Sequence, residues 1–386
     1  MSIGVMIVGL NGVNASTLVS GCCAMRLGII PSECGITTSD IFEKVDFVNP
    51  VDLVFSGWDY FDSNQYKMLK NYGIIKVDES DAFIKSLEAI IPYKGIRTDL
   101  DIPHEERFNH FVSPKTPKEA ISILADNIVD FKTKWSLDEV VVVYLGSPSK
   151  KAHPDLKLCS YNELLNMDVN AIPSSLLYAI AALQKQAHFV DFTPSETLEF
   201  GFLWKLAEEC GAQISGRDGS TGQTMLKLTI ANMLKIRELR LKAWYSTNIL
   251  GNHDGLILTN PDYSETKIED KMNSIAPLLG YDDFEHKVTI DFFKTRFDSK
   301  ESWDSIDFNG WLNTPMKLKM NWQGEDAILS APLILDIVRL VEFGARKGLR
   351  GFQKQLGLFY KHPFGCEGMS LESMYNQLID FYRELV

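Results

Sequence analysis

A chain of 386 residues with 45% hydrophobic and 23% charged side chains has the make-up of a globular protein, long enough for two domains or for one carrying a large insertion. A formal net charge of -12 excludes a general nucleic-acid or anionic-membrane partner, since both demand a net basic face. Cys22, Cys23, Cys34, Cys159, Cys210 and Cys366 form neither C-x-x-C pairs nor a dense framework, so reduced thiols and a cytoplasmic location are expected.

The apolar run Ile3 to Val8 predicts a buried strand; it lacks a basic flank and turns straight into a glycine-bearing loop, so it is not read as a signal peptide. No apolar run has membrane-spanning length, and the sequon Asn14-Ala15-Ser16 carries no weight without a secretory signal. Further β-branched runs at Asp52 to Ser56, Gly73 to Val77 and Glu139 to Leu145, separated by longer polar or amphipathic segments, predict parallel strands with crossover connections. Ile172-Pro173-Ser174 introduces a helix over Leu176 to Leu183, and His188 to Phe192 reads as another strand. From about Lys235 to Gln323 the texture changes. Alternation in Val288 to Phe292 and Met316 to Met320 predicts half-exposed antiparallel strands, with a helix starting near Ser264. Beyond Asp326, the helical spacing of Ala327 to Phe343 predicts a return onto the first half.

Several segments could carry chemistry. The loop Gly9-Leu10-Asn11-Gly12-Val13-Asn14 sits where dinucleotide-binding folds hold a pyrophosphate on free N–H groups, although it is not a G-x-G-x-x-G and such turns are common. Ser215 to Thr224 crowds three glycines, four hydroxyls, Asp218 and Gln223 before an apolar helix, which suits a phosphate or polyol; an ordinary capped helix start is the plainer reading. Asn248 to Gly255 crowds Asn252, His253 and Asp254 into one turn, able to orient sugar hydroxyls; no second histidine stands at metal-ligand spacing. Lys267 and Lys271 share a helix face, either as a solvated pair or as a phosphate-holding pair with one amine of depressed pKa. Lys300 and Lys361 are undistinguished alone. No H-E-x-x-H, G-x-S-x-G or Walker loop supports a hydrolase or triphosphatase.

In order, these segments resemble the inositol-1-phosphate synthase family over nearly the whole chain. The first loop resembles G-x-G-G-N-N-G-S-T, keeping Gly9, Gly12, Asn14, Ser16 and Thr17, and Ser56-Gly57-Trp58-Asp59 resembles G-G-W-D. Pro173 to Ala179 and Phe189 to Pro194 resemble the next blocks; Asp218 to Thr224 resembles D-x-K-S-G-Q-T, and Asn248 to Gly255 resembles N-x-L-G-N-N-D-G. Asp298-Ser299-Lys300 resembles G-D-S-K, while Glu325-Asp326 with Pro332 to Asp336 resembles E-D-S-L-L-A-T-P-L-I-I-D-L. Ser220 and Met225 replace family lysines, His253 an asparagine and Asp191 an asparagine, so contacts to the nicotinamide or an ion requirement could differ.

The resemblance implies an α/β fold: a Rossmann-like parallel-sheet NAD-binding domain over 1–225, an inserted α+β catalytic and tetramerisation domain over 226–325, and a C-terminal helical return over 326–386 packing on the first. It implies conversion of D-glucose 6-phosphate to an inositol monophosphate: oxidation at C5 with NAD, enolisation, closure of C6 onto the C1 aldehyde and re-reduction. It implies Lys267, Lys300, Lys361, Asp218 and Asp254 as catalytic residues. Lys271, Thr221, Gly222, Gln223, Thr224, Asn252 and Asn248 would hold substrate; Gly9, Asn11, Gly12, Val13, Asn14, Asp59, Ser147, Asp191, Asp218 and Asp326 would hold NAD. Within that set, Lys267 and Lys300 are assigned to the C5 oxygen, Lys361 to proton movement or the aldehyde oxygen, and Lys271 to the phosphate. A homotetramer is implied, and a monovalent or divalent cation remains open. A conventional NAD-dependent dehydrogenase, a cyclase for another sugar phosphate and a noncatalytic cofactor sensor are the rival readings.

Overall fold

The computed structural model describes residues 2–73, 76–77, 79–103, 105–260, 262–263 and 275–386. Lys267, Lys271 and the helix expected near Ser264 therefore lie outside the described residues, as do the side chains of His253 and Asp254.

The first half builds an eight-stranded parallel sheet: β1 (Ile3–Val8), β2 (Val54–Asp59), β3 (Tyr93–Ile96), β4 (Phe111–Val112), β5 (Glu139–Tyr144), β6 (His188–Asp191), β7 (Gln213–Gly216) and, from the chain's end, β12 (Gly351–Phe352). Its order is β12-β7-β6-β5-β1-β2-β3-β4. Every residue of β1 is buried because helices cover both faces, which is why the strand is written as a continuous apolar run. The pleat divides it: Ile3, Val5 and Ile7 enter one core with the helices Val13–Arg26, Asp326–Arg346 and Leu371–Glu384, while Met6 and Val8 enter a second with Pro117–Lys134, Ser174–Gln184 and Gly201–Cys210. The chain leaves β1 toward β2, β3 and β4, then returns to β5 on β1's other side. That reversal opens a crevice at the carboxyl ends of β1 and β5, the topological switch point where such sheets bind ligands.

Of the run Gly73 to Val77, the described residues Gly73, Lys76 and Val77 are not in a strand, and residues 74 and 75 lie outside the described residues. Gly73 ends the helix Gln65–Tyr72 in the left-handed region at φ 63, where a residue without Cβ closes the last turn, and the described residues Lys76 and Val77 are irregular. β-branched composition does not by itself make a strand when a neighbouring helix stop claims the segment. The sheet instead continues through the shorter β3 and β4.

The inserted sheet has the order β11-β10-β8-β9, from β8 (Arg240–Leu250), β9 (Glu285–Phe292), β10 (Ser299–Asn309) and β11 (Pro315–Glu325). It is mixed rather than antiparallel throughout: β8 and β9 run parallel, whereas β10 is antiparallel to both β8 and β11. Its inner face packs Leu241, Trp244, Ile306 and Phe308 on the helix Gln223–Ile236. No residue of β11 is buried. The helix Asp326–Arg346 then returns to the first sheet and packs on Val13–Arg26.

Candidate active site

The helix Val13–Arg26 starts at Gly12, which offers no side-chain cap, so its first N–H groups are open toward an anion. Gly9 holds φ 84, and a Cβ there would stand 3.1 Å from the Leu145 carbonyl oxygen, so the loop after β1 lies directly against that after β5. Asn11 is fully buried and braces the turn: its Nδ2 donates to the Phe61 carbonyl at 2.9 Å, and Gln65 Nε2 donates to Asn11 Oδ1 at 3.1 Å. Asp59, at the end of β2, accepts from the backbone N–H of Asn11 at 2.8 Å and of Tyr60 at 2.7 Å. Burial nevertheless pushes its carboxyl up to about 6.

Gly9, Asn11, Gly12, Val13, Asn14, Asp59 and Ser147 all line the crevice, walled by Trp58, Tyr60, Phe61, Tyr144 and Tyr178. Uncapped donors, glycines at points of close approach and an aromatic wall fit a dinucleotide. The aromatic wall escaped the sequence reading. Tyr60 and Phe61, directly after the G-W-D segment, were the available signal.

A second set of groups gathers between the first sheet and the insertion. Residues 217–219 pair against 360–362 through the Gly219–Tyr360 bridge, and Lys361 N–H donates to the Asp218 carbonyl at 2.7 Å. This pairing places Lys361 Nζ 2.6 Å from Asp218 Oδ1, with both side chains buried. Three residues on, Thr221 Oγ1 donates to Asp326 Oδ1 at 2.7 Å, and Lys300 Nζ stands 3.3 Å from the same oxygen. The helix Gln223–Ile236 begins at Gly222, again without a side-chain cap. Among the described residues, Asp218 Oδ2, Ser220 Oγ, Gln223 Oε1 and Ser302 Oγ are buried without a hydrogen-bond partner. Buried polar atoms without partners belong where a polar ligand completes them.

Asn252 joins the two regions. It lines the crevice, donates to Asp298 Oδ1 at 2.9 Å and accepts from Gly255 N–H at 2.9 Å. Close packing fixes its turn: a Cβ on Gly251 would stand 2.4 Å from the Phe297 nitrogen. Asp298 is raised to about 6 by burial, with Asp326 and Glu325 adding repulsion. Asn248 is buried on β8, its Nδ2 donating to the Thr289 carbonyl at 3.4 Å, and Asp254 falls in the short helix His253–Ile257.

Of the residues expected at the cofactor, Asp191, Asp218 and Asp326 do not line the crevice. Asp191 is fully buried and ties down the turn after β6, accepting from Thr193 N–H at 3.1 Å and from Ser195 Oγ. Asp218 and Asp326 bind the two lysines instead. Thr224 is buried on the first turn of its helix. Among the described residues no cluster of three or more His, Cys, Asp and Glu could hold a metal, and no helix is long and apolar enough to cross a membrane.

A doubly covered parallel sheet with a glycine-loop crevice at its switch point, facing a lysine–carboxylate site at an inserted sheet, defines a Rossmann-like NAD-binding protein with a second, polar-ligand site. The profile described as myo-inositol-1-phosphate synthase, of the NAD-binding kind, matches residues 36–382. The chain belongs to that family. It is 32% identical to inositol-3-phosphate synthase 1 of Bacteroides thetaiotaomicron, covering 94% of this chain and 89% of the relative. It is 28% identical to a probable inositol 3-phosphate synthase isozyme 3 of Arabidopsis thaliana, over 94% and 78%. The fold matches inositol-3-phosphate synthase of Caenorhabditis elegans with a TM-score of 0.86 at 22% identity, covering 100% of this chain and 86% of that one. A myo-inositol-1-phosphate synthase-related protein of Thermotoga maritima gives 0.79 at 22% identity, covering 99% of each.

Proposed function

We propose that this chain is an inositol-3-phosphate synthase, converting D-glucose 6-phosphate to 1D-myo-inositol 3-phosphate with NAD as a cofactor that ends each turnover unchanged. One observation carries the reading: two helix starts without side-chain caps, at Gly12 and Gly222, serve a dinucleotide crevice and a lysine-rich site that Asn252 connects. Bound NAD supplies a reversible hydride acceptor.

The chain's own residues supply charge and positioning. The first N–H groups of Gln223–Ile236 receive the phosphate, with Thr221 and Thr224 beside them and Lys271 as counter-charge. Lys300, with Lys267, takes the proton from the C5 hydroxyl and then stabilises the negative charge that enolisation puts on that oxygen. Lys361, held by Asp218, moves a proton at the aldehyde oxygen during ring closure. Asn252, Asn248 and Asp254 orient hydroxyls so that C6 meets C1. We assign 1–225 to the NAD-binding domain, 226–325 to the inserted catalytic domain and 326–386 to the return.

A homotetramer fits the same insertion. Tyr245 and Trp303 are 44% and 51% exposed, and they are diagonal neighbours on one sheet face because Tyr245 pairs with Ser305. That face, running onto the exposed β11, suits a second copy of the chain.

Incubation with glucose 6-phosphate and catalytic NAD, followed by phosphorus NMR, tests the reading. It predicts inositol phosphate with no net absorbance from reduced nicotinamide. Accumulating reduced cofactor would mean a dehydrogenase, and an unchanged sugar phosphate with NAD bound would mean a sensor.

A further inference from the structure

Asp191, at the end of β6, has no exposed surface and lies outside the crevice. A carboxylate so placed persists only where donors surround it. Its Oδ1 accepts from the Thr193 N–H at 3.1 Å and from Thr193 Oγ1 at 3.0 Å, and its Oδ2 accepts from Ser195 Oγ. These bonds fold residues 192–195 into one fixed turn, as an aspartate does when it binds the backbone two residues on.

Three carbonyl oxygens of that turn hold the 217–219 segment. Phe192 accepts from the Gly219 N–H at 3.0 Å, Thr193 from the Asp218 N–H at 3.0 Å and Ser195 from Arg217 Nη1 at 2.9 Å. The fit has no slack, since a Cβ on Gly219 would stand 2.1 Å from the Phe192 ring. Asp218 itself holds φ 57, in the left-handed region that residues other than glycine seldom occupy, so its backbone needs bracing. Thr193 braces it through the N–H and Lys361 through the carbonyl at 2.7 Å, and the Lys361 ammonium then meets Asp218 Oδ1 at 2.6 Å. A continuous run of hydrogen bonds therefore leads from Asp191 through Thr193 to Asp218 and Lys361.

We propose that Asp191 is a positioning residue that acts through the 192–195 turn to set the Asp218–Lys361 pair. The inference deepens the synthase reading and rests on it only for what the pair does in turnover. Asparagine, which the family motif has at this position, keeps an oxygen for Thr193 and offers an NH2 to Ser195 Oγ, whose own proton can turn to Thr197 Oγ1 at 2.8 Å. Leucine keeps neither bond. Asp191→Asn should thus rescue what Asp191→Leu loses.

Pulse acetylation of lysines, read by peptide mass spectrometry, tests the linkage without substrate. It is run near pH 8, above the value of about 7 to which burial pushes the Asp191 carboxyl against the bonds from Ser195 and Thr193. Lys300 and Lys227 are internal controls, both buried and both held by groups outside the turn. Asp191→Leu should label Lys361 about tenfold faster with the controls unchanged, and lower kcat about 10–100-fold with NAD affinity retained. Asp191→Asn should stay within about twofold of wild type in both readouts, and Ser195→Ala, which removes one bond with little loss of volume, should move both about fivefold. Wild-type labelling of Lys361 in Asp191→Leu, or in Ser195→Ala where the leucine protein does not fold, would overturn the proposal. So would faster labelling of all three lysines together, which marks general loosening, or faster labelling of Lys361 with kcat unchanged. A wild type that forms no inositol phosphate would defeat the synthase reading alone, because the labelling still reads the link from Asp191 to Lys361.

Discussion

Lys361 meets Asp218 twice, through its backbone N–H at 2.7 Å to the carbonyl and its ammonium at 2.6 Å to the carboxylate. The two residues are 143 apart in sequence, and the short pairing of 217–219 with 360–362 sets both contacts. Because the backbone contact does not depend on the side chain, Lys361→Ala should fold and bind NAD while losing about 10²–10⁴-fold in kcat. Calorimetric NAD titration alongside product assay checks this; turnover near wild type would remove Lys361 from the chemistry.

Lys300 and Thr221 share Asp326, while Asp298 holds Asn252 and accepts from Ala327 N–H at 3.3 Å. Asp298 is raised to about 6 by burial and then by Asp326 and Glu325. Activity should therefore fall as pH drops through about 6, when the carboxylate that fixes Asn252 is protonated. In Asp298→Asn the fall at that pH should vanish from a lower plateau. A profile unchanged in shape would exclude Asp298 as its source.

Gly9 stands at φ 84, and a Cβ there would press on the Leu145 carbonyl at 3.1 Å. Gly9→Ala should cost about 1–2 kcal/mol of stability and weaken NAD binding, since the glycine loop must shift to accept it. Denaturant unfolding with and without NAD separates the two effects. Equal NAD affinity in both proteins would show that the loop does not touch the cofactor.

Lys227 provides a stability test independent of substrate. Burial lowers its folded pKa from 10.5 to about 8, Asp304 opposing, so between those values the unfolded chain holds a proton that the folded chain has released. Stability due to this group should rise with pH across that window, by on the order of 3 kcal/mol, and Lys227→Met should remove the rise. Urea unfolding at several pH values reads the slope difference.

Tyr245 and Trp303 lie together on the open face of the insertion. Trp303→Asp should reduce the assembled mass in light scattering while leaving the monomer's circular dichroism unchanged, because the substituted side chain already faces outward. An unaltered mass would move the interface elsewhere.

Much of this was legible in the residues. β1 and β5 announced themselves as unbroken apolar runs because both faces of a parallel sheet are covered, and the alternation in Val288 to Phe292 and Met316 to Met320 marked strands with one open face. The glycine loop, the Ser215 to Thr224 turn and Asn252 were legible because turns and helix starts demand particular residue types locally. At the strand expected over Gly73 to Val77, the described residues are non-strand: strand propensity is only a weak local preference, and Gly73 serves a helix end.

The residues alone specify the local pieces: where strands run, where glycines permit a phosphate to approach, and which polar side chains occur in order. Which pieces meet follows from the packing of the whole fold. Asp191, alike in kind to Asp59, is committed to Thr193 and Ser195, whereas Asp59 lines the crevice. Lys227 reads as one more helix lysine until packing buries it beneath Trp244 near Asp304. Local conformation follows from sterics and hydrogen bonding within a few residues, but charge, burial and pairing depend on neighbours brought together across hundreds.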